Sequence, residues 1–297
     1  MGTIYLLLAV LSSASMAVIL KIFSNERGNR YGIIVGNYLT CVLIAFSFLP
    51  DKGIIFNSDP STAVIGVISG FIFAGALLLM QHSIGINGAI LTTAFARLGL
   101  IVPLILSIFI FLERPSVIQV TGIILVLAAV WIITADRESI MHAGRFGKKA
   151  GKVRPVLLLG VLVLCGLGDA MAKVFEDTGE RDEDELYFLF VFTIALVIAL
   201  AFAFTQFHRT GEKISIRALA AGALAGIPNY FSSLLLLKAL EHLPAFIVYP
   251  CFSTGAIVVV MIVGRLFLKE RPNGRKWAGL MLILAALVLL NAGRSMG

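Results

Sequence analysis

The chain has 297 residues, of which 59% are hydrophobic and 14% charged, with a net charge of +7. Soluble domains average about 45–50% apolar and 25% charged residues, so this balance excludes an ordinary water-soluble domain. The basic residues lie in short segments beside apolar runs, where membrane orientation and contact with anionic lipid account for them better than nucleic acid does.

In chain order the apolar stretches are Thr3–Phe23, Tyr31–Leu49, Ser61–Gln81, Gly88–Leu112, Val117–Ala135, Pro155–Phe175, Leu186–Thr205, Ala218–Leu237, Pro244–Leu268 and Trp277–Asn291. Each approaches the ~20 residues that a helix needs to cross roughly 30 Å of hydrocarbon. None alternates as a barrel strand does, and in lipid the backbone must satisfy its own hydrogen bonds. The predicted fold is therefore an all-α membrane protein with ten transmembrane helices. The first span begins Met1-Gly2-Thr3-Ile4-Tyr5-Leu6, without a basic leader, and is too long for a signal peptide. Leu6 also stands where a myristoylation site wants Ser or Thr, so the first helix is expected to stay. The longest connector, Asp136–Arg154, is too short for a catalytic domain.

Two stretches repeat in register. Leu112-Glu113-Arg114-Pro115 precedes Gly122, and Lys269-Glu270-Arg271-Pro272 precedes Gly279, each pair between the fourth and fifth span of its half. Lys21-Ile22-Phe23 likewise matches Lys173-Val174-Phe175. The third and eighth spans carry the small-residue pairs Gly66/Gly70 and Gly222/Gly226, which permit close helix packing. The expected organisation is residues 1–135 as one five-helix repeat, 136–154 as a basic linker and 155–297 as a second five-helix repeat. Five is odd, so the second half enters the membrane from the opposite side as an inverted repeat, an architecture suited to alternating access.

With these repeated Glu-Arg-Pro corners, the helix count, and Pro103 and Pro250 in the fourth and ninth spans, the chain resembles EamA-type members of the drug/metabolite transporter superfamily. That resemblance implies a helical bundle around a central cavity and a transported solute from a broad range: amino acids, choline-like cations, nucleotide sugars, sugar phosphates or drugs. It also implies both termini in the cytoplasm. The Lys and Arg residues are concentrated in the loops after odd-numbered spans, and by the positive-inside rule this places both termini outside. The two orientations stay open at this point.

Arg97 sits near the middle of the fourth span, where a charge is expensive and usually faces a cavity or partner. Its planar fork suits a carboxylate or phosphate, and the alternative is a structural ion pair or hydrogen bonds to helix carbonyls. Thr93, one turn earlier, would extend a polar stripe. Asp169 is the acid set well inside a span, able to bind an amine or to take a coupling proton or ion. Lys173, four residues on, offers a neutralising partner instead. Asn229 and Ser233 beside Pro228, and Tyr249 and Ser253 around Pro250, are further candidates for substrate binding, with helix packing as the alternative. His82, Lys238, Glu241 and His242 lie at helix ends, where snorkelling to the interface is expected. Glu113 and Glu270 fall on opposite faces in an inverted repeat and are expected to serve corners or helix starts.

Glu176–Glu185 holds seven of the 17 acids without calcium-loop spacing, so a solvated loop is expected. Cys41, Cys165 and Cys251 lie in spans without CxxC spacing, as buried small side chains. No metal site, cofactor, catalytic cluster or phosphate-cradling motif is expected, so the chain is read as a non-enzyme. The leading function is a secondary transporter of a small polar metabolite, such as an amino acid or another anionic or zwitterionic solute, in the cell membrane. Its partners would be that solute, membrane lipid and a coupling ion (H+ or Na+), with a homodimer open and no nucleic acid. A lipid or lipid-linked precursor flippase and a non-transporting membrane subunit are the alternatives.

Overall fold

The computed structural model describes residues 1–23, 30–87, 89–134, 154–211, 214–266 and 274–292. Among these no strand occurs. The helices are α1 (Gly2–Ile22), α2 (Arg30–Phe48), the short α3 (Ile54–Asn57), α4 (Pro60–Asn87), α5 (Ala89–Leu98), α6 (Ile101–Phe109) and α7 (Val117–Thr134). Then follow α8 (Pro155–Thr178), α9 (Asp184–Thr210), α10 (Ile216–Leu240), α11 (Ala245–Leu266) and α12 (Gly274–Ala292). Among the described residues eight segments are long and apolar enough to cross a membrane, with α5 and α6 together forming one of them. At ~1.5 Å per residue, α7 and α12 also come close to hydrocarbon thickness. Large apolar side chains such as Ile4, Leu7, Phe71, Phe109 and Val288 point outward, an arrangement that lipid accepts and water does not. The chain is an integral, multi-pass membrane protein.

Helix starts and stops follow local chemistry. Asp59 caps α4 by accepting the Ser61 N–H at 2.7 Å, ahead of Pro60 at the first helical position. The Ser61 N–H, and then its hydroxyl, hold the exposed Asp59 carboxyl below the ordinary carboxylate range. Ser116 and Gln119 form a reciprocal capping box at the start of α7. Gly211 ends α9 with φ of 71°, a left-handed conformation that glycine adopts without strain, and its N–H returns to the Phe207 carbonyl at 2.8 Å.

The fourth apolar stretch is two helices rather than one. Pro103 has no N–H for the Gly99 carbonyl four residues back, and its ring crowds that carbonyl. The Gly99 carbonyl instead accepts the Val102 N–H at 2.8 Å, and the helix is interrupted at Gly99–Leu100.

The chain divides into two compact units, and each draws on both sequence halves. Unit 1 comprises Met1–Ala74 and Met171–His242. In it α10 packs on α1 and α2, and α2 packs on α9. Small residues allow these approaches, as expected. A Cβ at Gly222 would strike the Ile33 carbonyl, and one at Gly226 would meet Asn37 and Thr40. On α4, Gly66 and Gly70 lie equally tight against Phe190 and Ile194 of α9. Aromatic rings fill the interior, with Phe175 stacked on Tyr187 at 4.1 Å between centroids.

The acidic run Glu176–Glu185 is not a solvated loop. It closes α8, forms a 3-10 turn at Arg181–Glu183 and opens α9. Glu183 and Asp184 are buried, and each has a partner within the fold. Glu183 Oε1 accepts the Asp59 N–H at 3.1 Å, and Asp184 pairs with Lys238. Lys238 also reaches Glu241 at 3.0 Å, so it anchors an ion network rather than snorkelling free.

Unit 2 comprises Gly75–Ala170 and Leu243–Gly297. Here α7 packs along α12, and α11 meets α6, α7 and α12. Leu100, Leu104, Val126, Val130, Phe246 and Leu290 belong to its apolar core. The glycines that follow the two repeated corners pack reciprocally: Gly122 of α7 on Ala286 and Leu290 of α12, and Gly279 of α12 on Ala129 and Ile133 of α7. Lys269–Pro272 lies outside the described residues, as does the Asp136–Val153 part of the linker.

Candidate functional site

Unit 2 brings Arg97 of α5, Cys165 and Asp169 of α8, and Tyr249 of α11 together. The break at Gly99–Leu100 lets α5 come close to α8. A Cβ on Gly99 would lie 2.9 Å from both the Gly166 nitrogen and the Leu162 carbonyl oxygen, and one on Gly166 would overlap the Gly99 carbonyl. Only glycine at both positions permits this backbone-to-backbone approach. Arg97 comes two residues before the contact on α5, and Asp169 three residues after it on α8.

Arg97 and Asp169 interact electrostatically, and Cys165 lies within the field of both. Both charged side chains are half-buried, and the described residues include no direct ion pair between them. Lys173, the expected partner of Asp169 along the helix, pairs with Glu176 one turn further on. Asp169 is held through its backbone as well, since the Tyr249 hydroxyl donates to its carbonyl oxygen at 2.9 Å. Ser253 is buried one turn beyond Tyr249 on α11.

Thr93 is exposed, whereas its neighbour Thr92 is fully buried and shares a hydrogen bond with Ser83 at 2.9 Å. Asn87 extends that cluster by donating to Ser83 at 3.1 Å and accepting the Arg154 N–H at 2.8 Å. Asn229 and Ser233 belong to unit 1. Asn229 donates to Asn37 Oδ1 at 2.8 Å, fastening α10 to α2, and Ser233 donates to the Asn229 carbonyl at 3.1 Å. The structure therefore joins Arg97, Asp169 and Tyr249 in one constellation and gives Asn229 and Ser233 partners elsewhere.

Glu113 was expected to serve a corner or a helix start. Its carboxylate accepts the Ala245 N–H at 2.9 Å and the Phe246 N–H at 3.2 Å, so it serves the start of α11 from 132 residues away. The helix-start role holds, but at a helix remote in sequence, and no local spacing signals that reach.

Residues 156–292 match the EamA-like transporter family. An uncharacterized protein of Haemophilus influenzae is 24% identical over 293 residues, covering 96% of each chain. A solved crystal structure superposes with a TM-score of 0.75 over 99% of this chain and 98% of its own, at 14% identity, which shows a shared fold. The second half of the chain, residues 156–292, thus resembles the EamA-like transporter family, and the whole chain shares its fold with the solved structure.

Proposed function

We propose that the chain is a secondary active transporter of a small zwitterionic or anionic solute, of the size and charge of an amino acid, with Arg97 and Asp169 as its binding charges. The observation that carries this reading is the opposed, half-buried pair beside a broken helix, coupled electrostatically but not closed into an ion pair. Burying two charges costs several kcal/mol per ion, and a direct bond between them would offset part of that cost. Left apart, they suit a ligand that brings a carboxylate to Arg97 and an ammonium to Asp169. Interrupted spans are the usual place for such sites, because they free polar backbone within the membrane.

Asp169 is also the group suited to take up a coupling proton or Na+, so substrate and ion would compete for, or share, one carboxylate. Alternating access would follow from two five-helix repeats of opposite orientation in the cell membrane, with the reciprocal packing of Gly122 and Gly279 in support of that symmetry. Uptake of radiolabelled amino acids into proteoliposomes tests the reading. Arg97→Ala and Asp169→Asn should each remove uptake while the protein still melts cooperatively. Well-folded Arg97→Ala protein transporting at the wild-type rate would sink it.

A further inference from the structure

We propose that Glu113 is a positioning residue for the Arg97–Asp169 site: the α6–α7 corner delivers its carboxylate to the first turn of α11, and α11 in turn fixes the main chain at Asp169 through Tyr249. The proposal deepens the transport reading and rests on it. The first N–H groups of any helix lack partners within the helix. In α11 two of them, at Ala245 and Phe246, both buried, donate to the two oxygens of Glu113. A carboxylate there is favoured by the helix dipole and makes charge-assisted hydrogen bonds. The buried Ser107 hydroxyl donates to the same carboxylate from α6, which fixes its orientation.

A local Ser or Asp could have capped α11 without tying anything else to it. The cap comes instead from another element, across a corner that holds a leucine in a left-handed conformation. Leu112 has φ of 53° and is 74% exposed, so its own packing offers little to offset that strain. The turn does bring the Glu113 N–H to the Ser107 carbonyl at 3.0 Å and sends the carboxylate to α11. One helical turn beyond Ala245, the buried Tyr249 hydroxyl donates to the Asp169 carbonyl. The connection thus runs from the α6–α7 corner through α11 to α8, and it ends on the acid of the site.

The test uses the full-length protein with Cys41→Ser and Cys251→Ala, which leaves Cys165 as the thiol lying in the field of Arg97 and Asp169. The rate of N-ethylmaleimide addition to Cys165 is read by mass shift for Glu113→Asp, Glu113→Gln, Tyr249→Phe and the Glu113→Asp/Tyr249→Phe double variant. A shortened side chain cannot reach both N–H groups, so Glu113→Asp should change the rate several-fold. Tyr249→Phe should change it in the same direction, and the double variant no further, because both act through one connection. Glu113→Gln, which keeps the length and one acceptor, should return most of the wild-type rate, and it carries the test if Glu113→Asp fails to fold. A wild-type rate in Glu113→Asp, a Glu113→Gln rate no nearer the wild type, or additive effects in the double variant would overturn the proposal. Uptake of a radiolabelled amino-acid mixture by the same variants and by Arg97→Ala separates the two readings. If Arg97→Ala transports normally, the substrate reading fails, while the Cys165 rates still decide the role of Glu113.

Discussion

The two units treat their buried charges differently. In unit 1 the buried acids are spent on architecture: Asp184 meets Lys238, and Glu183 secures the start of α4. Its amides do the same, with Asn229 clasping Asn37. In unit 2 Glu113 is bound in the same architectural way, yet Arg97 and Asp169 stay coupled without closing on each other. A charge that finds its partner within the fold reports on stability. Under the proposed function, one kept half-buried and unclosed is available to a ligand, and that separates the candidate site from ordinary membrane polarity.

The comparison breaks first at Arg97. Arg97→Ala should lower uptake by about 100-fold, the effect expected when a charge-assisted hydrogen bond of ~3 kcal/mol to the solute is removed. Asn229→Ala in unit 1 should lose only about 1 kcal/mol of stability and leave uptake affinity unchanged. Side-by-side uptake curves and thermal melts read both. Loss of affinity in Asn229→Ala would move part of the site into unit 1.

A second contrast uses glycines of equal tightness. Gly166→Ala forces a methyl group into the Gly99 carbonyl and Val102, and Gly222→Ala forces one into the Ile33 carbonyl. Each should cost roughly 2–3 kcal/mol, the overpacking range. Only Gly166→Ala should also depress uptake per folded molecule, because the α5–α8 approach sets the spacing of Arg97 and Asp169. Equal residual activity in the two folded variants would contradict that.

Most of the fold was legible because a bilayer imposes length and apolarity on every span, and those are properties of contiguous residues. The break at Gly99–Leu100 had a local signal as well, since Pro103 lies four residues beyond Gly99. What could not be read is pairing across the chain. Asp169 has a lysine four residues away, and helix geometry favours that pair, but Glu176 competes for Lys173 and Arg97 arrives from 72 positions earlier (97 to 169). The acidic run read as solvated because the partners of its buried members, Lys238 for Asp184 and the Asp59 N–H for Glu183, lie far off in sequence. Arg97 and Asp169 themselves were visible from composition alone, since a charge deep in an apolar run needs a reason.

A third test follows from that misread run. Lys238→Met leaves the buried Asp184 without its cation, which should destabilise unit 1 by about 2 kcal/mol, less than for a fully buried pair because the lysine side chain is 31% exposed. Adding Asp184→Asn should recover most of the loss. A melt unchanged in Lys238→Met would mean that this network, too, is not architecture, and the contrast between the units would fail from the other side.

The smallest expected effect lies at the corner of unit 2. A left-handed leucine costs about 1–2 kcal/mol, and glycine loses roughly 0.5–1 kcal/mol more than other residues on ordering, so Leu112→Gly should gain on the order of 0.5 kcal/mol. Little packing is lost, because Leu112 is largely exposed. Leu112→Val should move the other way, since a β-branched side chain fits that region worse than leucine. Thermal melts of both variants decide whether strain is stored there. A Leu112→Gly protein that melts lower than wild type would show that the leucine side chain itself holds the corner. In that case the left-handed turn would be a consequence of its contacts rather than the means of bringing Glu113 to α11.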